Sequence, residues 1–207
     1  QELRRIADKF GILLIVDEIQ AGLGRSGKLW AFEHSEIVPD MFVSSKALGG
    51  GVPIAAVVAK DDILKEWGPG AHVSTQAGNV LACAAGNYVL ETIAKEAFLK
   101  KVNETGAYFM DGIRELEKKH KIIGHVDNKG VYTGLELVVN RKTKEPAAKA
   151  TTYVRDRAVA EGMLFEKGGY YYNRMQLIPP LNIARSELDR VIAMLDKIFG
   201  EAEKKFG

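Results

Sequence analysis

Several features that would define a function class are scarce in this sequence. The 207 residues include a single cysteine, Cys83, which cannot form a disulfide within one chain. A lone thiol is typical of a protein from a reducing compartment, so we expect a cytoplasmic location. The charges are interspersed and sum to +2, and no basic block predicts a nucleic-acid surface.

Long apolar runs and metal-ligand clusters are also missing. No segment approaches the roughly 20 apolar residues of a membrane-spanning helix, and the amino terminus lacks a signal-peptide pattern. No set of histidine, cysteine and acidic residues has the spacing of a metal site, and no serine or cysteine triad is legible. We therefore expect a protein with no membrane span, no bound metal and no nucleic-acid partner.

Two short apolar stretches each end abruptly in a chemically active residue. Residues 13–16 are followed by Asp17 and Glu18, and residues 41–43 lead through two serines to Lys46. An apolar run that ends in a carboxylate predicts a buried parallel strand whose carboxyl end lies at the ligand-binding edge of an α/β sheet. The sequence thus predicts an acid and an amine at one crevice, as Schiff-base chemistry next to a cationic ring requires.

Hydrophobic periodicity divides the chain into two regions. Residues 1–97 alternate helices and strands, and residues 98–207 begin with a long helix that leads into a smaller α+β region. The predicted strands are 12–16, 41–43, 54–59, 122–126, 131–139, 163–165 and 175–178. The predicted helices are 2–10, 79–93, 98–119, 147–161 and 186–197.

Several motifs, in this order, resemble those of the class III pyridoxal-phosphate-dependent aminotransferases. They are Asp17-Glu18-Ile19-Gln20-Ala21-Gly22, Ser45-Lys46-Ala47-Leu48-Gly49-Gly50-Gly51, Ser74-Thr75-Gln76 and Ile178-Pro179-Pro180-Leu181-Asn182. The resemblance implies an α/β fold of type I among PLP-dependent transferases. Residues 1–97 would be part of the large PLP-binding domain, and residues 98–207 the interdomain helix and small C-terminal α+β domain. Family members are much longer, so we expect the amino-terminal half of the enzyme to be missing here.

The resemblance also implies roles for individual residues around pyridoxal 5'-phosphate. Lys46 would form the Schiff base with the cofactor and then carry the proton during catalysis. Asp17 would keep the pyridine nitrogen protonated, Ile19 would pack on the ring face, and Gln20 would hydrogen-bond the ring hydroxyl. Glu18 is expected to have a structural role as an ion-pair partner.

Thr75, with Ser74 beside it, resembles the family threonine that binds the cofactor phosphate of the other subunit in a homodimer. A hydroxyl and a backbone N–H suit a phosphate oxygen. If this holds, the active site is shared between two copies of the chain. The alternative is that these two residues cap the helix that follows.

One position departs from the family pattern. Many class III aminotransferases have an arginine for the substrate carboxylate where this chain has Gln176. Alternation along a strand places Arg174 on the same face as Gln176, so both are candidate substrate-binding residues. Some amino-acid racemases and epimerases of the same fold also lack that arginine.

Three functions therefore remain open from the sequence. The first is an aminotransferase that moves an amino group between an amino acid or amine and a 2-oxo acid. The second is an amino-acid racemase or epimerase, which would use the same lysine and aspartate. The third is a non-catalytic fragment or scaffold subunit, because the rest of the family's cofactor-binding residues are absent.

Overall fold

A computed structural model describes all residues from Gln1 to Gly207, and the chain forms two compact units. Unit 1 is Gln1–Lys100 and unit 2 is Lys101–Gly207. Helix α4 (Glu96–Lys119) runs without a break across this division. No helix or strand ends at this division. The predicted domain boundary between residues 97 and 98 therefore stays a prediction.

Unit 1 is built on a three-stranded sheet. Its strands are β1 (Ile15–Asp17), β2 (Met41–Ser44) and β3 (Ala56–Ala59), in that spatial order. Strand β1 runs parallel to β2, whereas β3 is antiparallel to β2. The helices of unit 1 are α1 (Glu2–Phe10), α2 (Asp61–Lys65) and α3 (Val80–Ile93).

A buried carboxylate, Asp40, ties the amino-terminal helix to the sheet. Its oxygens accept hydrogen bonds from Arg4 Nη1 (2.5 Å), Lys60 Nζ (2.6 Å) and the Leu14 N–H (2.8 Å). The Leu14 N–H, together with Lys60 and Arg4, holds the pKa of the Asp40 carboxyl well below its usual range. Asp40 thus remains charged while joining α1, the start of β1 and the end of β3.

The prediction that the first strand is buried is wrong for this chain. Ile15 is 57% exposed, and Leu13 just before it is 54% exposed. Parallel strands usually have continuous apolar sequences because helices cover both faces of the sheet. Here β1 is the edge of a three-stranded sheet, and Val57 and Val58 of β3 are also exposed. The apolar composition of these strands is therefore not matched by burial within the chain.

Unit 2 contains a larger antiparallel sheet. Its main strands lie in the order β4 (Ile123–Lys129), β5 (Tyr132–Asn140), β8 (Arg174–Leu177) and β7 (Glu166–Gly168), and β6 (Glu145–Pro146) pairs with β5. The strand predicted at 163–165 forms three residues later, as β7. The helices are the main part of α4, α5 (Ala148–Ala160) and α6 (Arg185–Phe206).

The helices and strands of unit 2 share one continuous core. Phe109 of α4, Leu135 of β5, Val154 of α5, Met175 of β8 and Phe199 of α6 all belong to it, and none is more than 1% exposed. The alternating apolar residues of the strands and the helical stripes all point into this cluster. No helix of either unit combines the length and the apolar composition that a membrane span requires.

Candidate active site

Strands β1 and β2 end side by side at one edge of the sheet in unit 1. Asp17, the last residue of β1, is paired in register with Val43, and the Glu18 N–H donates to the Val43 carbonyl (2.9 Å). Lys46 follows Ser44, the last residue of β2, by two positions. Because the strands are parallel, both carboxyl ends lie at the same edge. The structure therefore brings the predicted acid and the predicted lysine to one edge.

Lys46 has an unusual backbone conformation. It begins a short 3₁₀ helix, Lys46–Gly49, and its φ of 46° lies in the left-handed region. Such a conformation costs a non-glycine residue on the order of 1–3 kcal/mol and persists only where the surroundings enforce it. The Ser45 hydroxyl donates to the Ile54 carbonyl (2.9 Å), and α3 packs against the 3₁₀ helix, where Leu48 is buried. These contacts fix where the lysine side chain starts.

Asp17 is oriented by the turn that follows β1. Its Oδ1 accepts a hydrogen bond from the Ile19 N–H (2.9 Å), and the carboxylate itself is exposed. Ile19 and Gln20 are half-buried in this turn. The three side chains predicted to surround the cofactor ring thus come from one short segment at the end of β1.

Glu18 supports that segment, but not in the predicted way. Its side chain is 1% exposed, and its two oxygens accept hydrogen bonds from the N–H groups of Ala31 and Phe32, both at 2.8 Å. These amides begin a 3₁₀ helix, Ala31–Ser35, where backbone donors lack partners within the helix. The predicted ion pair is therefore wrong. Glu18 makes no ion pair and instead holds the loop after Asp17 in place.

The polar groups at this edge fit pyridoxal phosphate. A carboxylate can hold a proton on a pyridine nitrogen, and an amine can attach to an aldehyde carbon. Ser44 adds a hydroxyl that is buried, since the residue is 2% exposed, and that has no hydrogen-bond partner in the chain. A buried polar atom without a partner is rare unless a ligand or water satisfies it. Asp17 and Lys46 thus carry the two groups that the ring of such a cofactor needs, whereas Ser44 follows Val43, the register partner of Asp17, and so points to the other face of the sheet.

The two predicted phosphate-binding residues lie elsewhere in unit 1. Ser74 and Thr75 are exposed and belong to a turn in which the Ser74 carbonyl accepts the Ala77 N–H (3.0 Å). The alternative role as a helix cap is wrong, because the side chain of Asn79 caps α3 by accepting the Ala82 N–H (3.1 Å). Their part in binding a phosphate of another subunit stays a prediction.

The two predicted substrate-binding residues lie on β8 in unit 2. Arg174 donates to Asp127 (2.5 Å) and to Glu136 (3.2 Å) across the sheet. Burial by itself lowers the pKa of Arg174, but its contacts with Asp127 and Glu136 outweigh that effect and raise the pKa. A Cβ on Gly134 would lie 2.1 Å from the guanidinium, so only glycine lets the arginine cross β5 here.

Gln176 and Arg174 line a cavity of about 380 Å³ over this face of the sheet. Thr133 also lines it, and its hydroxyl is buried without a hydrogen-bond partner. A substrate carboxylate would have to compete with Asp127 and Glu136 for the guanidinium of Arg174. Substrate binding by Arg174 and Gln176 stays a prediction.

Sequence reasoning missed three residues that build the edge in unit 1. Asp40 joins the amino-terminal helix to the sheet, and Ser45 holds the loop before Lys46 through its bond to Ile54. Ser44 has a buried hydroxyl without a partner. The signal for Asp40 was its position directly before an apolar strand. In neither unit do three histidine, cysteine or acidic side chains group in a way that could hold a metal ion.

Comparison with known proteins points to one family. The family model for aminotransferase class III matches residues 1–199. The acetylornithine aminotransferase of Caldanaerobacter subterraneus is 39% identical over 199 residues, which is 96% of this chain and 48% of that protein. The leucine/methionine racemase of Thermococcus litoralis is 37% identical, over 99% of this chain and 46% of that protein. The chain spans about half the length of the curated relatives it matches.

Solved structures give the same picture. A transaminase from the marine bacterium Virgibacillus superposes with a TM-score of 0.92 at 25% identity, over 99% of this chain and 48% of that one. The taurine:2-oxoglutarate aminotransferase of Bifidobacterium kashiwanohense, solved in complex with PLP and glutamate, gives a TM-score of 0.90 at 27% identity. That match covers 99% of this chain and 47% of the other. The backbone described above is thus similar to about half of these enzymes.

Proposed function

The chain belongs to the class III aminotransferase family, and from this premise we propose that it is the lysine-bearing part of a PLP-dependent aminotransferase. The reaction would move an amino group between an amino acid or amine and a 2-oxo acid. The observation that carries the proposal is the meeting of Asp17 and Lys46 at the carboxyl edge of β1 and β2. The fold and the family both indicate pyridoxal 5'-phosphate as the cofactor.

Each residue at this edge has a defined task in the proposal. When bound, pyridoxal phosphate supplies an electron-poor ring that takes up the charge left on a substrate carbon after a proton departs. Asp17 keeps a proton on the ring nitrogen, and Lys46 holds the cofactor covalently and then moves the substrate proton. Ile19 packs on the ring face, and Gln20 hydrogen-bonds the ring hydroxyl.

The left-handed backbone conformation of Lys46 and the exposure of the residue support its proposed role. The lysine side chain leaves a fixed and strained point on the chain, so its amine can swing between attachment and proton transfer without movement of the sheet.

The proposal includes partners that lie outside this chain. Because the chain spans about half of its relatives, an amino-terminal half of the same enzyme would complete the large domain. Thr75 and Ser74 would bind the cofactor phosphate of the second subunit in a homodimer, and their exposure leaves them accessible for it. A cytoplasmic location fits the single cysteine, Cys83, which is free.

The test uses this chain joined to its proposed amino-terminal half, and it measures visible light absorption in the presence of pyridoxal phosphate together with amino-transfer activity. We expect a visible-region band from the lysine-bound cofactor, and Lys46→Ala should abolish both the band and amino transfer. Lys95→Ala removes an exposed lysine of unit 1 that forms no ion pair, and it should change neither. A band that survives Lys46→Ala would refute the assignment.

Asp17→Asn separates attachment from catalysis. The amide cannot hold the ring proton, so the band should persist while the rate of amino transfer falls by about 10²–10³-fold, as for the loss of one fixed group that stabilises charge in the transition state. Equal loss of band and activity would show that Asp17 only supports the fold.

A racemase is the second candidate, and the leucine/methionine racemase relative favours it. Strand β8 also offers no free guanidinium for a substrate carboxylate, because Gln176 stands where many aminotransferases have arginine and Arg174 is already paired with two carboxylates. Some racemases of the same fold lack that arginine as well. A single amino-acid enantiomer incubated without a 2-oxo acid decides between the two. Loss of optical rotation without formation of a keto acid would establish racemisation.

A further inference from the structure

The backbone at Lys46 belongs to a tight turn whose first residue is held at two points. The Leu48 N–H donates to the Ser45 carbonyl (3.0 Å), which places Lys46 at the second position of the turn, with its φ of 46°. The Ser45 hydroxyl donates to the carbonyl of Ile54 (2.9 Å), nine residues further along the chain. Ser45 is therefore fixed through its carbonyl and its side chain, immediately before the left-handed torsion.

The acceptor of the Ser45 hydroxyl is itself fixed by packing. A Cβ on Gly49 would lie 3.0 Å from Ile54 Cγ2, so the 3₁₀ helix and Ile54 are already in close contact. Gly86 of α3 lies against the same group, since a Cβ there would be 3.7 Å from Ile54 Cδ1 and 3.5 Å from the Leu48 carbonyl oxygen. Ile54 thus offers the hydroxyl a carbonyl that α3 and the 3₁₀ helix hold in place.

This anchor acts directly on the strained torsion. A lysine in the left-handed region relaxes to an ordinary backbone conformation unless its surroundings prevent it. The φ of Lys46 is the rotation that follows the Ser45–Lys46 peptide bond, so a serine that cannot shift opposes that relaxation. The same torsion sets the direction in which the lysine side chain leaves the backbone.

We propose that Ser45 is a positioning residue for Lys46. Its hydroxyl holds the left-handed torsion through the Ile54 carbonyl and thereby directs the lysine side chain. The part of this inference that concerns the reaction rests on the proposed function, because it requires that Lys46 carries the cofactor. Removal of the hydroxyl should therefore change the energetics of the torsion in this chain and the rate of reaction in the completed enzyme.

A double-mutant cycle on the 207-residue chain tests the coupling between the serine and the torsion. Lys46→Gly should lower the unfolding equilibrium constant about fivefold, because glycine accepts the left-handed region without strain. In a Ser45→Ala background this gain should vanish, since the released backbone no longer needs glycine. Urea titration followed by tryptophan fluorescence measures both, because both tryptophans lie in unit 1.

Glu36→Gly is the matched control for the cycle. Glu36 also has a left-handed torsion, with a φ of 52°, but it follows the 3₁₀ helix Ala31–Ser35 and forms no hydrogen bond with Ser45. Its gain from glycine should be the same with and without the Ser45 hydroxyl. Equal gains at Lys46 in the two backgrounds would overturn the proposal, because other contacts would then enforce the torsion.

The chain joined to its proposed amino-terminal half gives a second readout. Ser45→Ala should keep the visible band of the bound cofactor, lower kcat about tenfold and leave KM within about twofold, because misplacement of a reacting group is felt in turnover. Ser45→Thr keeps a hydroxyl and should restore kcat to within about threefold of the parent. Ser35→Ala removes an exposed serine hydroxyl of unit 1 and should change neither constant.

The outcomes separate this inference from the proposed function. An unchanged kcat in Ser45→Ala, a change confined to KM, or a kcat in Ser45→Thr as low as in Ser45→Ala would overturn the positioning role. None of these results affects the test with Lys46→Ala, which decides whether the lysine holds the cofactor. The double-mutant cycle needs no cofactor, so its result does not depend on that decision.

Discussion

Ile113, Leu135 and Phe199 are fully buried in unit 2, whereas Ile15 on β1 of unit 1 is 57% exposed and Val80 on α3 is 80% exposed. Both units have apolar strands and amphipathic helices. In unit 2 the sheet packs against helices of the same unit. In unit 1 the sheet has an uncovered edge and exposed apolar side chains. The comparison shows that unit 2 supplies its own core, while the edge proposed to bind the cofactor lies in unit 1, which has the more exposed apolar side chains.

Hydrogen exchange should show the largest difference between the units. We expect the amides of β5 to exchange only through global unfolding of unit 2, because β5 is flanked by strands and packed in the core. Amides of β1 should exchange through local opening and about 10³-fold faster. Mass-spectrometric exchange on the 207-residue chain measures both. Equal protection would mean that unit 1 is as well packed as unit 2.

Large-to-small substitutions sharpen the same contrast. Phe199→Ala leaves a cavity in the core of unit 2 and should cost about 3–5 kcal/mol of unfolding free energy. Ile15→Ala removes a half-exposed side chain and should cost less than about 1 kcal/mol. Both tryptophans, Trp30 and Trp67, lie in unit 1, so tryptophan fluorescence follows that unit and circular dichroism follows both. Similar losses for the two variants would contradict the comparison.

Asp40 gives unit 1 its main internal anchor and makes it sensitive to acid. Its folded-state pKa is lowered, so its contribution is complete above the unfolded pKa of about 4 and is lost as the pH falls towards the folded value. Asp40→Asn should cost about 3 kcal/mol near pH 7, because Arg4 and Lys60 lose their partner.

The difference between Asp40→Asn and the parent should shrink as the pH falls below about 4, where Asp40 of the unfolded parent takes up a proton while the folded carboxyl, whose pKa is lowered, stays charged. Urea titrations followed by tryptophan fluorescence at several pH values measure it. A difference that stays constant from pH 7 to pH 3 would show that Asp40 is not the acid-sensitive group.

The smallest expected effect concerns the end of α1. Gly11 has a φ of 64°, and a Cβ added there would meet nothing within 4 Å. Gly11→Ala should therefore cost only the backbone penalty, about 1 kcal/mol. Gly68→Ala is the control, since Gly68 has equally open surroundings and no positive φ. A loss equal to that of Gly68→Ala would mean that α1 ends differently in solution.

The positions of Asp17 and Lys46 at strand ends were predictable from the sequence, whereas the backbone conformation and the contacts around them were not. The abrupt change from apolar residues to Asp17, and from apolar residues to Lys46, correctly indicated two strand ends at one edge. The left-handed backbone of Lys46 could not be predicted, because residue type does not encode it and distant contacts enforce it. The partners of Asp40 lie 36 and 20 residues away in the chain, and no local pattern connects them.

Burial was the property least accessible to sequence reasoning. An apolar strand such as 13–16 predicts a covered sheet, but whether a cover exists depends on neighbours beyond the strand itself. The same limit explains Glu18, whose charge indicated an ion pair while its position beside the 3₁₀ helix at Ala31–Ser35 gave it backbone amides. In unit 2, strands with neighbours in the chain were found within a few residues of their predicted places.

The left-handed geometry at Lys46 has a practical meaning for anyone who evolves this scaffold in the laboratory. Glycine is the residue that such a torsion accommodates at no steric expense. A screen that rewards heat resistance alone would consequently favour glycine over the native lysine. Libraries built on this chain therefore need selection for the proposed activity at every round, or they will drift towards more stable molecules that lack the amine proposed to hold the cofactor.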